Sequence, residues 1–449
     1  MSRFALLLVP ALSSLALGCG PESSPDPGQA TGACVENACE GTLVCVQDGC
    51  VDPNSTVGGT GPGTGGSEEG PSEGPDSSVD DADTGDVPGL ANSVSILVVM
   101  DNSGSMGEEQ ARAAPALGAL AEGLTDAGVD WRMGFTTTDN GNPWCSGTTP
   151  EGGGMRLSSC RSRQSEFVFD GATSIDFTDA ACLDFCEQDS ISILPTTVED
   201  GGEASVRPWF QSIGGESNLD GGSLAASIAC AAPQGINGCG FEQQLESMQK
   251  AVLRADTDGD ANFGFVPPDA LLVVVIITDE ADCSYNGDHE SIFLPEGERI
   301  FWSNPDSPTP TSAVCWNAGV SCKGSDCASV NLDVFGVDTT PDDAVLRPVS
   351  RYIDGIGASN AAMVMLVAGV ADDGTVTYED SLDPLHQEGF GIGPGCDSAE
   401  AGPATPPVRQ RELAQAHPLD GGRSLFSVCS PEYSQPMNAV LSAVLGRLG

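Results

Sequence analysis

Lysine is almost missing from this chain: Lys250 and Lys323 are the only two, and all 17 basic residues face 65 acids, for a formal charge of −48. A surface of that sign repels phosphate backbones and offers no basic stripe to release counterions, so nucleic acid is excluded as a partner. Histidine is scarce too. His289, His386 and His417 are scattered singly, with no evident nucleophile beside any of them. No HExxH, GxSxG or Walker loop is present, and an enzyme is therefore not expected. Long hydrophobic runs are also lacking. Phe4 to Leu15 and Leu271 to Ile277 both fall short of the ~20 residues that span a bilayer.

What the chain does have in quantity is cysteine, 17 in all. Its first residues combine Arg3, an apolar run and Leu15-Ala16-Leu17-Gly18-Cys19, which resembles the lipobox of a bacterial lipoprotein signal, with Cys19 lipidated after cleavage. A plain secretory signal with an incidental Cys19 is the alternative. Lipid would be the only membrane anchor. Gly20 lacks the acidic character that retains lipoproteins at an inner membrane, which points to the outer membrane of a cell envelope. An exported protein with sixteen remaining cysteines is read as a disulfide framework, against zinc, whose structural sites want paired cysteines or histidines at close spacing. Neighbours in sequence are the simplest pairs: Cys145 with Cys160, Cys182 with Cys186, Cys230 with Cys239, and Cys396 with Cys429.

Composition divides the chain. Residues 1–18 form the signal peptide and 19–33 a disordered leader. Residues 34–50 carry Cys34, Cys39, Cys45 and Cys50, a small disulfide-rich module with no real core, and 51–91 a flexible acidic Gly/Ser linker. Residues 92–449 alternate strand and helix patterns. Strands are expected at Ser93 to Met100, Asp130 to Thr138, Ala270 to Thr278, Ala361 to Val370 and Ser424 to Cys429, with a short edge strand at Glu166 to Asp170. Helices are expected at Gly107 to Gly128, Phe241 to Ala255 and Glu432 to Leu448. That order implies an α/β domain with a doubly wound, mostly parallel, six-stranded sheet and long disulfide-stapled insertions.

The first strand runs directly into Asp101-Asn102-Ser103-Gly104-Ser105. One carboxylate and two hydroxyls at alternate positions make a partial oxygen cage for a hard cation, and open α/β sheets bind ligands beyond the carboxyl ends of their strands. A local Asx-type turn is the bland alternative. The segment resembles the DxSxS motif of the von Willebrand factor A domain, and the order of elements is similar to that family across residues 92–449. The resemblance implies a metal-ion-dependent adhesion site holding magnesium, or calcium or manganese, with Asp101, Ser103 and Ser105 as ligands. Asp279, where the strand Ala270 to Thr278 ends, matches the family's acid that holds a metal-bound water. A helix cap or turn acid is its alternative role.

The family's second loop supplies a Thr, and this chain departs from that pattern. Cys239, Gly240 and Glu242 stand there instead, so Glu242 or water would supply the oxygen, and Ser223 in SNLDGGSLAAS is an upstream alternative. Asp256, Asp258, Asp260 and Asn262 resemble the start of a calcium loop, but Ala261 fills the glycine bend and no closing Glu follows, which leaves an acidic loop. The resulting expectation is an exported, lipid-anchored envelope protein that binds a partner protein's acidic side chain through a divalent cation. The alternatives are a structural envelope protein with incidental metal binding, or a hydrolase with an unrecognised site in the insertions.

Overall fold

Every residue of the first strand after Ser93 is buried, and successive side chains enter opposite cores. In the computed structural model, which describes residues 93–448 apart from 171–173, 199–201, 358–360 and 400, together with two short strands nearer the N-terminus, this segment is β1 (Ser93–Met100). Val94, Ile96, Val98 and Met100 pack against α1 (Gly107–Asp126), through Ala113, Leu117 and Leu124. Leu97 and Val99 turn to the other face. The period-two alternation of a strand covered on both sides produces this division. Ser95, the polar interruption, donates to the Phe265 carbonyl at 2.8 Å, so its burial leaves no hydroxyl unsatisfied.

The central sheet has seven strands. Beyond β1 they are β2 (Asp130–Thr137), β3 (Trp209–Ile213), β4 (Glu216–Ser217), β5 (Leu271–Ile277), β6 (Ala362–Ala368) and β7 (Leu425–Ser427), in the spatial order β7-β6-β5-β1-β2-β3-β4. β1, β2, β5, β6 and β7 pair in parallel, while β3 and β4 extend one edge antiparallel. The expected six strands thus become seven. Glu166 to Asp170 is not the sheet's edge: Val168–Asp170 pairs instead with Ser174–Asp176 in a separate hairpin, and Trp209–Ile213 followed by Glu216–Ser217 completes that side of the sheet. Trp209 and Phe210 are both fully buried there, which a free hairpin could not achieve.

Helices cover both faces. α1, α2 (Leu224–Ala231) and α8 (Ser434–Leu448) lie on one side, and α3 (Gln244–Ala255), α5 (Val349–Gly357) and α7 (Arg409–Ala416) on the other. The chain passes from β1 to β2 on one side of β1, and later places β5 on its other side. That reversal places the topological switch point at the carboxyl ends of β1 and β5, the end at which ligands of such sheets bind. Two further helices, α4 (Ala313–Gly319) and α6 (Pro384–Phe390), belong to the loops.

Disulfides staple these loops: Cys145–Cys239, Cys160–Cys182, Cys186–Cys230, Cys283–Cys315, Cys322–Cys327 and Cys396–Cys429. Of the four expected pairs, Cys396–Cys429 forms. The other three expected pairs are overturned because Cys160, Cys182, Cys186 and Cys230 converge with Phe167 and Ala181 in one small core, where packing and not chain distance selects partners. Among the described residues, Cys160, Cys182 and Cys186 are the one group of three histidine, cysteine or acidic side chains with ligand atoms within 4.8 Å of one another. All three are spent in disulfides, which removes zinc there.

Gly20–Pro88 forms a unit of its own, in which Val44–Val46 pairs antiparallel with Gly49–Val51 and sets Cys45 opposite Cys50 in register. The signal peptide, Cys19, the leader, most of the cysteine module and the linker lie outside the described residues. No helix among the described residues is long and apolar enough to cross a membrane.

Candidate functional site

Asp101 is the first residue past β1, and it is fully buried. Its backbone N–H donates to the Ile277 carbonyl at 3.0 Å, which continues the β1–β5 ladder by one bond and fixes where the side chain starts. Ser103 N–H donates to Asp101 Oδ1 at 2.9 Å, and the Thr278 hydroxyl donates to Oδ2 at 2.6 Å. The first of these is the Asx-type turn that Asp-x-Ser favours locally. The second comes from the neighbouring strand and holds the carboxylate against the end of β5. Ser103 and Ser105 hydroxyls lie 3.1 Å apart, so the Asp101, Ser103 and Ser105 side chains gather on one side of the loop.

The loop is braced from below. Gln110, fully buried on α1, donates to the carbonyls of Asp101 at 2.8 Å and Gly235 at 2.7 Å, and accepts from Gln234 N–H at 2.8 Å. Gly238 N–H then donates to the Asn102 carbonyl at 2.9 Å. Gly238 has to be glycine here, since a Cβ would stand 2.3 Å from the Asn102 side chain. The Phe169 ring lies over Gly104, where a Cβ would come within 3.2 Å of it.

The chain from Gly238 to Gln243 is the second loop, and it is tied to the end of β2. Cys239 N–H donates to Asp139 Oδ2 at 3.2 Å, and Gln243 N–H to the Thr138 carbonyl at 3.1 Å. Glu242 is thereby turned inward and completely buried. The Thr138 hydroxyl donates to Glu242 Oε2, and the Glu242 carboxyl abuts that of Asp101. Asp279 lies two residues past the end of β5, with the Ser105 hydroxyl near its carboxyl.

Three loops therefore meet. The structure brings together Asp101, Ser103, Ser105, Glu242 and Asp279. Ser223 does not join them: it caps α2, accepting from Ala226 N–H at 3.3 Å. The Asp256 to Asn262 stretch is also accounted for locally. Asp260 Oδ1 accepts from Asn262 N–H at 2.8 Å, Asp260 Oδ2 faces Arg254 at 3.3 Å, and the Asn262 amide bonds Met155 N–H and the Gly153 carbonyl. Those groups staple a loop and face one another.

Electrostatically the cluster is unbalanced. Burial pushes the Asp101 carboxyl upward. Burial and then the Asp101 charge push Asp279 up to about 7, and burial, Asp101 and Glu280 raise Glu242 well above the carboxylate range. Glu280 is raised in the same way, by burial, Asp279 and Asp101. Like charges brought together without water disfavour ionisation. Glu242 Oε1 and Asp279 Oδ1 are both buried and receive no hydrogen bond from the protein. Buried atoms without a partner also occur elsewhere, at Asn140 Oδ1 and Gln249 Oε1 for example, so it is the position of these two carboxylate oxygens beside Asp101 that suits a cation. The donor set of two carboxylates, two serine hydroxyls and the adjoining Glu242 consists of hard oxygens, and it suits magnesium, calcium or manganese.

Sequence reading missed Thr278, Gln110, Thr138 and Glu280. Thr278 and Glu280 flank Asp279 and were open to inspection, whereas Gln110 and Thr138 owe their roles to contacts with distant segments.

No family model matches the sequence, and no curated protein matches it. Among solved structures the chain has a likeness to the pilus adhesin SpaC from Lactobacillus rhamnosus GG in its open conformation. Identity is 11%, the match covers 79% of this chain and 29% of that one, and the TM-score is 0.29. A second form of the same adhesin gives 9% identity, 79% and 30% coverage and a TM-score of 0.28. The chain thus spans under a third of the adhesin's length, and similarity at this level carries no argument about either fold or role.

Proposed function

We propose that residues 92–449 form a divalent-cation-dependent binding module similar to the von Willebrand factor A domain, and that its ligand is an acidic side chain of another protein. The observation that carries this reading is the pair of buried, unpartnered oxygens, Glu242 Oε1 and Asp279 Oδ1, set beside Asp101 at the carboxyl ends of β1 and β5. Asp101, Ser103 and Ser105 would hold the ion, Asp279 would hold water bound to it, and Glu242 would stand where the family has Thr. When bound, the ion supplies the positive charge that offsets desolvation of a partner's carboxylate.

The chain's own groups do the positioning. Thr278 and Ser103 N–H orient Asp101, Thr138 orients Glu242, and Gln110 locks the first loop to α1. Glu242 adds a negative charge where Thr would be neutral, and a third carboxylate favours calcium with its larger oxygen shell over magnesium. The absence of an enzyme motif is consistent with a binding role and not turnover. Export and lipid attachment through Cys19 belong to the same proposal. The six disulfides among the described residues support an oxidising compartment.

Thermal unfolding of the full chain in chelator, magnesium, calcium and manganese tests the site. The expected result is an upward shift in Tm with cation in the wild type and none in Asp101→Ala. No cation-dependent shift in the wild type would overturn the reading.

A further inference from the structure

Three large apolar side chains stand in solvent on the block that follows Asp279: Ile300 is 56% exposed, Phe335 60% and Val337 59%. Ile300 lies against the turn that carries the other two, its Cδ1 3.4 Å from the Cβ position of Gly336. Their neighbours in sequence point the other way. Phe301, Val334 and Leu332 join the small core of Phe293, Trp302 and Val345, so the block already has its interior without these three.

The turn that displays Phe335 and Val337 is held rigidly. Asp333 Oδ1 accepts from both Phe335 N–H at 2.9 Å and Val337 N–H at 3.0 Å. Gly336 N–H donates to the Asp333 carbonyl and Asp333 N–H to that of Val337, both at 2.9 Å. Gly336 takes φ 73°, which a residue with a Cβ rarely adopts. A pre-ordered turn that exposes apolar side chains loses little entropy on binding, as a recognition surface requires.

Charge identifies the occupant. From Cys283 to Ala344 the chain has ten acids and two bases. Glu296, Glu298, Asp338, Asp342 and Asp343 are exposed around these positions in sequence. Arg299, the base nearest in sequence, has its guanidinium committed to the carbonyls of Pro295, Pro305 and Ser307 and to the Trp302 ring. A second copy of a chain with charge −48 would be repelled, and an anionic membrane likewise. We infer that Ile300, Phe335 and Val337 form a docking surface for a cationic segment of a partner protein that carries apolar side chains, independently of any cation at Asp101.

Two peptides serve as probes: one alternating lysine and leucine, and one alternating lysine and serine with equal charge. Wild type is expected to bind the lysine–leucine peptide at least tenfold tighter than the lysine–serine peptide, in chelator as in calcium. Ile300→Ser/Phe335→Ser/Val337→Ser should lose that tenfold preference while keeping its Tm, because the three side chains lie outside the core. Glu298→Gln/Asp338→Asn should weaken lysine–leucine binding and flatten its salt dependence. The inference is overturned if the lysine–serine peptide binds equally well, or if the triple variant keeps the preference. It is also overturned if sedimentation or vesicle binding shows the same three residues driving self-association or attachment to anionic lipid.

Discussion

Thr278 donates its hydroxyl to Asp101 Oδ2 at 2.6 Å, from the strand beside the one that Asp101 ends. The Gln244 amide meets that same hydroxyl at 2.7 Å, so one threonine links β5, the first loop and the start of α3. Valine has almost the same shape without the hydroxyl. Thr278→Val therefore removes a donor from a buried carboxylate, at a cost of about 1–3 kcal/mol. Urea unfolding in chelator should show this loss, with Thr278→Ser close to wild type. A Thr278→Val midpoint equal to wild type would mean that Asp101 does not depend on this bond.

Asp279 gives a pH dependence of definite sign. Its folded-state carboxyl is raised to about 7, by burial first and the Asp101 charge second. A raised carboxyl stabilises the fold fully below the ordinary carboxylate range and loses that contribution as pH climbs through 7. Without cations, wild type and Asp279→Asn should therefore be similar near pH 4.5, and the variant should be the more stable at pH 8, by an amount on the order of 2–4 kcal/mol. Saturating calcium should reverse the order at pH 8. Parallel stability curves in chelator would contradict the buried, like-charged setting of this acid.

The fold was legible because β1, β5 and β6 are uninterrupted apolar runs and α1 and α8 follow their strands closely; their limits agree within a few residues with the pattern. Trp209–Ile213 was not, since a five-residue antiparallel strand inside a long cysteine-rich insertion has too little pattern to stand out. Three of the four expected disulfides failed because their pairing depends on tertiary packing. Cys145 and Cys239 meet because the second loop packs on the end of β2, a contact that no local spacing encodes. In the site, Asp101, Ser103, Ser105 and Asp279 follow strand ends and could be found by position. Glu242 could be placed in the second loop, but its burial against Asp101 and its bond from Thr138 depend on tertiary packing.

Gly238 and Gly240 provide a matched test of how the second loop is seated. A Cβ at Gly238 would stand 2.3 Å from the Asn102 side chain, whereas a Cβ at Gly240 would meet nothing within 4 Å. Neither residue has the positive φ that only glycine tolerates well, so alanine differs at the two positions by contact alone. Gly238→Ala must push Asn102 aside, and Gly238 N–H is also the group that donates to the Asn102 carbonyl. Overpacking of this kind costs about 1–3 kcal/mol. Gly238→Ala should lower stability by that amount and weaken calcium binding measured by titration calorimetry, because Asn102 lies between Asp101 and Ser103. Gly240→Ala should match wild type in both measurements. Equal behaviour of the two variants would show that the second loop is free to move away from the first, and Glu242 could not then be held against Asp101.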